Sequence, residues 1–316
     1  MKIIDENKLP VVVFIMGTTA SGKSKLAIQL SNFFSCDIIS ADSALIYRGM
    51  DIGTDKPDDK ILLNYPHKLV NICDPVDIYT VENFRNDALK EIEKSIFFRN
   101  RIPILVGGTM LYFKVLLNGL SPLPSSSYFF KTDNNIKLNS QYSYEYLKSI
   151  DPISADRIHK NDQRRIFRAI EVFLKSKKTL SNLCSNSVPY NFPYTVLQFF
   201  LFPFDKNSLF KKIESRFKNM LISGLELECK RFFSRGDLNP NLPSMKCIGY
   251  RQMWKYFLNE ITYEEMVNSS IVATKKLAKR QITWSKRWKN LFFLDSNNFL
   301  GSLHFIRKTI NKMIKK

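Results

Sequence analysis

Three groups of residues in this 316-residue chain have the types and spacing for chemistry. The first is Gly17-Thr18-Thr19-Ala20-Ser21-Gly22-Lys23-Ser24, which follows the apolar run Val11 to Met16 and precedes a helical pattern from Lys25 to Phe34. A buried strand, a glycine-bounded loop and a Lys-Ser pair opening a helix make the phosphate-binding arrangement G-x-x-x-x-G-K-[ST], the P-loop. Inward backbone N–H groups, the helix N-terminus and the Lys23 ammonium attract a di- or triphosphate, and Ser24 can hold Mg²⁺. The loop alone says neither which phosphate binds nor what is transferred. The second is Asp42, closing the short strand pattern Asp37 to Ser43. Carboxyl ends of parallel strands line the ligand crevice, so Asp42 is expected beside the loop. There a carboxylate can bind Mg²⁺ through water, act as a general base or cap a helix. The third is Thr109, after Gly107-Gly108 at the end of the run Ile102 to Val106. Its hydroxyl can donate to a phosphate or leaving group, or simply cap the helix expected over Met110 to Leu117.

The elements that position these groups follow from the same patterns. Alternating buried strands and amphipathic segments, including a helical stretch from Val81 to Arg99, predict a parallel sheet covered on both faces. The fold class is α/β, a P-loop nucleotide-kinase-like parallel sheet core with an inserted, mainly helical subdomain. Many nucleotide-hydrolysing enzymes carry an aspartate at the end of a strand such as Ile104-Leu105-Val106. Here Gly107-Gly108-Thr109 follows, so the loop is expected to serve something other than ATP hydrolysis. Ser121 to Ser127 reads as a linker, and a helical region broken at Asp151-Pro152 runs from Tyr144 to Lys178. Tyr194 to Phe202 returns to the sheet, and the remainder reads as mostly helical. Expected boundaries are 1–118 for the first part of the core, 119–193 for the insertion and 194–316 for the second part with basic helices.

Composition narrows the class. At 44% hydrophobic and 13% aromatic residues the chain has the means to build a core. Its polar start, Met1 to Pro10, is not expected to be a signal peptide, and no apolar run approaches the ~18 residues of a membrane span. Five scattered cysteines without C-x-x-C, and three histidines (His67, His159, His304) without H-E-x-x-H or triad spacing, predict free thiols in the cytoplasm. The same pattern points away from zinc and histidine-driven hydrolysis.

Charge is uneven. Residues 1–120 hold 14 Lys/Arg against 14 Asp/Glu, whereas residues 121–316 hold 34 against 15 and carry the whole net charge of +19. A polyanionic partner would exploit that asymmetry, which a proteome-wide lysine bias would instead spread over both halves. Arg164, Arg165 and Arg168 place two cations on one helix face, with few acids expected nearby. Lys275 to Trp284 and Ser285 to Trp288 form a second basic stretch, in which Trp284 and Trp288, four apart, are expected to pack inward.

Several stretches together resemble the bacterial tRNA dimethylallyltransferase (tRNA isopentenyltransferase) family. They are the loop Gly17–Ser24; Asp42 to Tyr47 with Gly49 to Thr54; Val106 to Tyr112; Asp162 to Arg168 with Glu171-Val172; Cys247 to Met253; and Lys279 to Trp284. Six motifs in order cover about residues 10–290. The resemblance implies prenyl transfer from dimethylallyl diphosphate to the exocyclic amine of the adenosine immediately 3′ of the anticodon. By motif, Gly17, Thr18, Thr19, Ala20, Ser21, Gly22, Lys23 and Ser24 would hold diphosphate, with Mg²⁺ on Ser24. Asp42 would accept the amine proton, Thr109 would assist the departing diphosphate, and Arg216 resembles an arginine that also contacts it. Asp42, Ser43, Ala44 and Leu45, Arg164, Arg165 and Arg168, Lys246, Cys247, Ile248, Gly249, Tyr250 and Arg251, and Lys279, Arg280 and Gln281 would meet the tRNA anticodon arm. No membrane and no obligate protein partner are implied, and a monomer suffices. Thr18 replaces the family's loop proline, residues 125–143 depart from its usual insertion, and Lys275, Lys276, Ser285 and Lys286 depart from its last motif.

Three rivals share the loop, of which a non-catalytic RNA-binding protein with a relic loop is disfavoured by the intact Lys23, Ser24, Asp42 and Thr109. A small-molecule kinase would use ATP, with the basic insertion as its arginine lid. A prenyltransferase of free adenine nucleotides would not need the charge concentrated after residue 120.

Overall fold

Val11–Gly17 (β1) is buried along its whole length, as an unbroken apolar run requires of a central parallel strand. In the computed structural model, which describes residues 9–124, 143–185 and 190–315, β1 lies between Ile102–Gly107 (β4) and Thr195–Phe202 (β5). Cys36–Ser40 (β2), His67–Lys68 (β3) and Phe292–Asp295 (β6) complete a six-stranded sheet of order β3-β2-β4-β1-β5-β6, parallel at every pairing. Val13 pairs with Ile104 and Leu197, so the carboxyl ends of β1, β4 and β5 fall at one edge of the core.

Among the described residues, helices cover both faces of the sheet. On one, α1 (Lys23–Ser31) and the last helix (Phe299–Lys315) bury Leu26, Leu30, Leu303, Ile306 and Ile310 against Val13, Ile15 and Ile104. On the other lie α3 (Val81–Glu93) and α4 (Met110–Asn118), with Phe113 against Phe14 at 5.1 Å and Tyr112 stacked on Phe84 at 3.9 Å. Between β2 and α3 lies the short α2 (Asp59–Asn64). The C-terminal part adds α9 (Lys206–Ile222), α10 (Leu225–Phe233), α11 (Tyr250–Phe257), α12 (Tyr263–Ser285) and α13, the Phe299–Lys315 helix.

The chain divides into two compact units, residues 1–116 with 193–316, and residues 117–192. The second contains α5 (Tyr144–Ile150), α6 (Pro152–Arg157), α7 (Gln163–Ser176) and α8 (Leu180–Ser185) around Leu147, Ile158, Ile166 and Ile170. Most of the departing stretch 125–143 lies outside the described residues.

One carboxylate holds three of those helices together. Asp151, 3% exposed, ends α5, caps α6 by accepting from Ser154 N and Oγ, and accepts from Ser181 N at the start of α8. Burial raises its pKa, but the Ser154 and Ser181 donors outweigh burial and hold it below the usual carboxylate value. A depressed carboxylate stabilises above its unfolded pKa, and that stability is lost as pH falls through the folded one. Asp151→Asn should destabilise this unit by about 2 kcal/mol at pH 7. Urea unfolding followed to lower pH should show the wild-type advantage shrinking below about pH 4.

Candidate active site

The turn after β1 is held from within and from across the sheet. Gly22 adopts φ 80, with open space where a Cβ would stand, and α1 begins at Lys23. Ser21 Oγ donates to Thr18 O at 2.8 Å, and Thr18 N donates to Leu201 O of β5, a bond that proline at this position could not make. Gln281 of α12 bridges two strand ends: its Oε1 accepts from Thr19 N and its Nε2 donates to Gly108 O, both at 2.9 Å. A Cβ on Gly108 would lie 2.4 Å from that amide nitrogen, so a larger residue there would displace the Gln281 bridge.

Lys23 Nζ donates to Thr18 O at 2.5 Å, at the centre of the turn. Burial lowers its pKa to about 8, against the raising effect of Asp42; the Arg216 charge lowers it further and Asp55 opposes. Asp42, Arg216 and Asp55 are thus each within electrostatic reach of the Lys23 ammonium. Arg216, from α9, donates through Nη1 to Thr19 Oγ1 at 2.7 Å, and its Nε lies 3.2 Å from Asp55. A cleft of about 750 Å³ opens here, lined in part by Ala20, Gly22, Asp55, Lys212 and Arg216.

Asp42 stands two residues beyond β2, with Oδ1 fixed by Ala44 N at 2.9 Å. Thr109 Oγ1 accepts from Ser43 N at 3.1 Å and lies 3.4 Å from Ser43 Oγ, so the ends of β2 and β4 bring Asp42 and Thr109 to one place. That approach needs Gly107, where a Cβ would lie 2.0 Å from Ala41 O. Cys247 lies within electrostatic reach of Asp42: burial pushes its thiol up to about 12, with the Asp42 charge adding to the effect. Tyr112 is likewise raised, by burial first and Asp42 second. The strand ends thus offer a fixed carboxylate whose charge acts on the Lys23 ammonium.

The residues matched to RNA contacts divide by exposure. Ser43, Lys246, Arg251, Lys279 and Arg280 are exposed, while Ala44, Leu45, Cys247 and Ile248 are half-buried at the crevice edge. Gly249 and Tyr250 are buried, the Tyr250 hydroxyl bonded to Glu228, and Gln281 is committed to its two backbone partners. In the helical unit Arg164 is exposed, and the few acids expected nearby pair with its neighbours. Asp162 pairs with Arg165 at 3.3 Å and Glu171 with Arg168 at 2.7 Å, and Arg168 also donates to Pro124 O. The tryptophan expectation fails for Trp284. Helix α12 ends at Ser285, so Trp284 and Trp288 do not share a helical face; Trp284 is 37% exposed with Lys114 over its ring. Trp288 is half-buried and donates to Gln198 Oε1.

Sequence reasoning missed Glu228, whose carboxylate gathers the loop at Asp51 to Gly53, and Lys56, whose ammonium donates to Tyr47 O, Asp51 Oδ1 and Asn71 Oδ1. Burial lowers the Lys56 pKa, against its bond to Asp51. Glu228 carried no local signal, since it acts on a segment distant in sequence, whereas Lys56 acts on residues close by in the same loop region.

For a metal, the donor set is sparse. Among the described residues no group of three or more His, Cys, Asp or Glu is placed to hold an ion. A hydroxyl such as Ser24, supplemented by phosphate oxygens and water, is the donor set Mg²⁺ commonly takes beside a phosphate substrate.

An all-parallel sheet with a phosphate-binding loop on its central strand makes this a P-loop α/β protein. A family model described as IPP transferase matches residues 45–288, and the chain belongs to that family. It is 51% identical over 308 residues to the tRNA dimethylallyltransferase of Buchnera aphidicola subsp. Baizongia pistaciae (strain Bp), covering 94% of this chain and 92% of that protein. Identity to the enzyme of the same name from Buchnera aphidicola subsp. Acyrthosiphon pisum (strain APS) is 51% over 293 residues, 90% of each. Among solved structures, the tRNA delta(2)-isopentenylpyrophosphate transferase of Staphylococcus epidermidis superposes with a TM-score of 0.69 at 32% identity, over 96% of this chain and 99% of that one. A eukaryotic dimethylallyltransferase described as acting on tRNA gives 0.75 at 27% identity, over 90% of this chain and 74% of that one. No helix among the described residues is long and apolar enough to cross a membrane.

Proposed function

We propose that this chain transfers a dimethylallyl group from dimethylallyl diphosphate to the exocyclic amine of the adenosine immediately 3′ of the anticodon in tRNA, releasing diphosphate. One observation carries the reading: Asp42 is fixed just beyond β2 by Ala44 N, the adjacent Ser43 N–H donates to Thr109, and the Asp42 charge acts on the Lys23 ammonium. On this reading a proton acceptor and a diphosphate site share one crevice. Lys23, Arg216 and the loop N–H groups hold the diphosphate, and Ser24 would hold Mg²⁺, which when bound neutralises charge on the diphosphate oxygens. The adenine amine nitrogen attacks the carbon bearing the diphosphate; the new C–N bond forms as that C–O bond breaks, and its electron pair leaves with the diphosphate. Asp42 takes the proton from the amine, and Thr109 donates to the leaving oxygen. Stabilising that growing charge is the chief demand, and one preorganised donor is typically worth about 3 kcal/mol.

The target base must leave its stack to reach the crevice, as base-modifying chemistry requires. Exposed Lys246, Arg251, Lys279 and Arg280 would take RNA phosphates around it, and Arg164 of the helical unit is exposed and would take an RNA phosphate as well. The enzyme is proposed to work in the cytoplasm, where its RNA substrate is.

The test is transfer of labelled dimethylallyl groups to unmodified tRNA, with AMP as acceptor control and ATP as donor control. Label in tRNA is expected, lost when the adenosine beside the anticodon is changed. Label in AMP instead would point to a nucleotide prenyltransferase. Phosphate released from ATP with no prenyl transfer would point to a kinase.

A further inference from the structure

Three consecutive backbone N–H groups, those of Asp51, Ile52 and Gly53, converge on the Glu228 carboxylate at 3.0, 2.7 and 3.0 Å. Successive N–H groups turned one way form a concavity that attracts an anion, and here the anion is a side chain of α10. Glu228 is 8% exposed, and its remaining acceptor position takes the Tyr250 hydroxyl at 2.5 Å. Oε2 serves Asp51 and Ile52 and Oε1 serves Gly53 and Tyr250, which uses the roughly four lone-pair sites of a carboxylate. Packing closes the same joint, since a Cβ on Gly53 would lie 2.6 Å from the Tyr250 ring.

The two residues that follow the clamp reach the diphosphate site. Arg216 Nη2 donates to Thr54 O at 3.4 Å, its Nε faces Asp55 at 3.2 Å, and its Nη1 reaches Thr19 of the phosphate loop at 2.7 Å. One edge of the guanidinium is thus set by the loop that Glu228 holds, and the other by the turn that binds phosphate. A planar fork gives its full strength only in a fixed orientation.

We propose that Glu228 is a positioning residue for the diphosphate: through residues 51–55 it holds Arg216 against the phosphate loop. The inference rests on Arg216 being a diphosphate ligand, as read above. A carboxylate is required rather than an amide, because Gln would turn an NH₂ group toward N–H donors that need an acceptor.

The experiment measures binding of inorganic diphosphate by calorimetry, together with steady-state constants for both substrates, in wild type, Glu228→Gln, Arg216→Gln and the double variant. Glu228→Gln should weaken diphosphate about tenfold and raise KM for dimethylallyl diphosphate similarly, with KM for tRNA within about twofold. In the Arg216→Gln background the same change should have no further effect on diphosphate, because it acts through that side chain. Tyr250→Phe, which leaves the three N–H bonds intact, should give a smaller shift in the same direction and serves if Glu228→Gln does not fold. A lower melting temperature with unchanged diphosphate affinity would overturn the proposal, as would full multiplication of the two effects in the double variant. Wild-type protein that binds diphosphate yet labels no tRNA would remove the prenyl-transfer reading and leave this inference standing.

Discussion

Asp42→Asn is expected to lower turnover by about 10²- to 10⁴-fold while leaving tRNA binding within about twofold. The substitution isolates proton acceptance from placement. Asp42 Oδ1 accepts from Ala44 N at 2.9 Å, and an asparagine carbonyl can keep that bond. Thr109, held on Ser43, stays where it is, so the leaving-group side of the crevice is undisturbed. What disappears is the basic oxygen that takes the amine proton as the C–N bond forms. Single-turnover transfer and filter binding separate the two quantities. Turnover unchanged from wild type would remove Asp42 as the base and return it to a capping role.

The sheet was legible because its central strands announce themselves. Val11–Gly17, Ile102–Gly107 and Thr195–Phe202 are short, continuous apolar runs, the pattern of strands buried on both faces. The edge was not legible. β6, only Phe292–Asp295, pairs with β5 alone, and Phe292 and Phe293 remain about half exposed, so nothing in its four residues distinguishes a strand from a loop. The same limit explains Trp284. Four-residue spacing implies a shared face only while the helix continues, and α12 stops at Ser285.

Within the site, residues whose role is local were readable and those whose role depends on distant backbone were not. The loop, Asp42 and Thr109 each follow a strand and could be placed at strand ends from pattern alone. Glu228 sits among Leu225–Phe233 with Glu226 in the first turn of a helix, where acids ordinarily complement the helix dipole. Its function lies with Asp51 to Gly53, a contact that sequence does not encode locally. Gln281 read as an RNA contact within a basic stretch, yet it is the bridge between Thr19 and Gly108. The arginines of α7 erred in the opposite way. Asp162 and Glu171 lie three residues from Arg165 and Arg168 and were within range of a closer reading.

Lys23→Met is expected to weaken diphosphate binding by roughly 10²-fold, the loss typical of a charge-assisted contact in a partly buried site. It should also change how binding depends on pH. Burial holds the free-enzyme Lys23 near 8, below its usual range, so a growing fraction of the protein is neutral there above that pH. Diphosphate favours the ammonium and raises its pKa, so binding takes up a proton between the free and bound values. The sign follows: affinity is at its fullest below about 8 and declines as pH rises through it, by up to about tenfold per unit until the bound pKa is reached. The titration of diphosphate itself, which raises its charge with pH, acts on wild type and variant alike, so the difference between them belongs to Lys23. Asp42 opposes the effect of burial, and Asp42→Asn should therefore move the wild-type midpoint to lower pH. Calorimetry from pH 6.5 to 9.5 in buffers of different ionisation enthalpy reads both affinity and proton uptake. Parallel wild-type and Lys23→Met curves would show that the ammonium does not titrate against the ligand, and would remove Lys23 as the central charge of the diphosphate site.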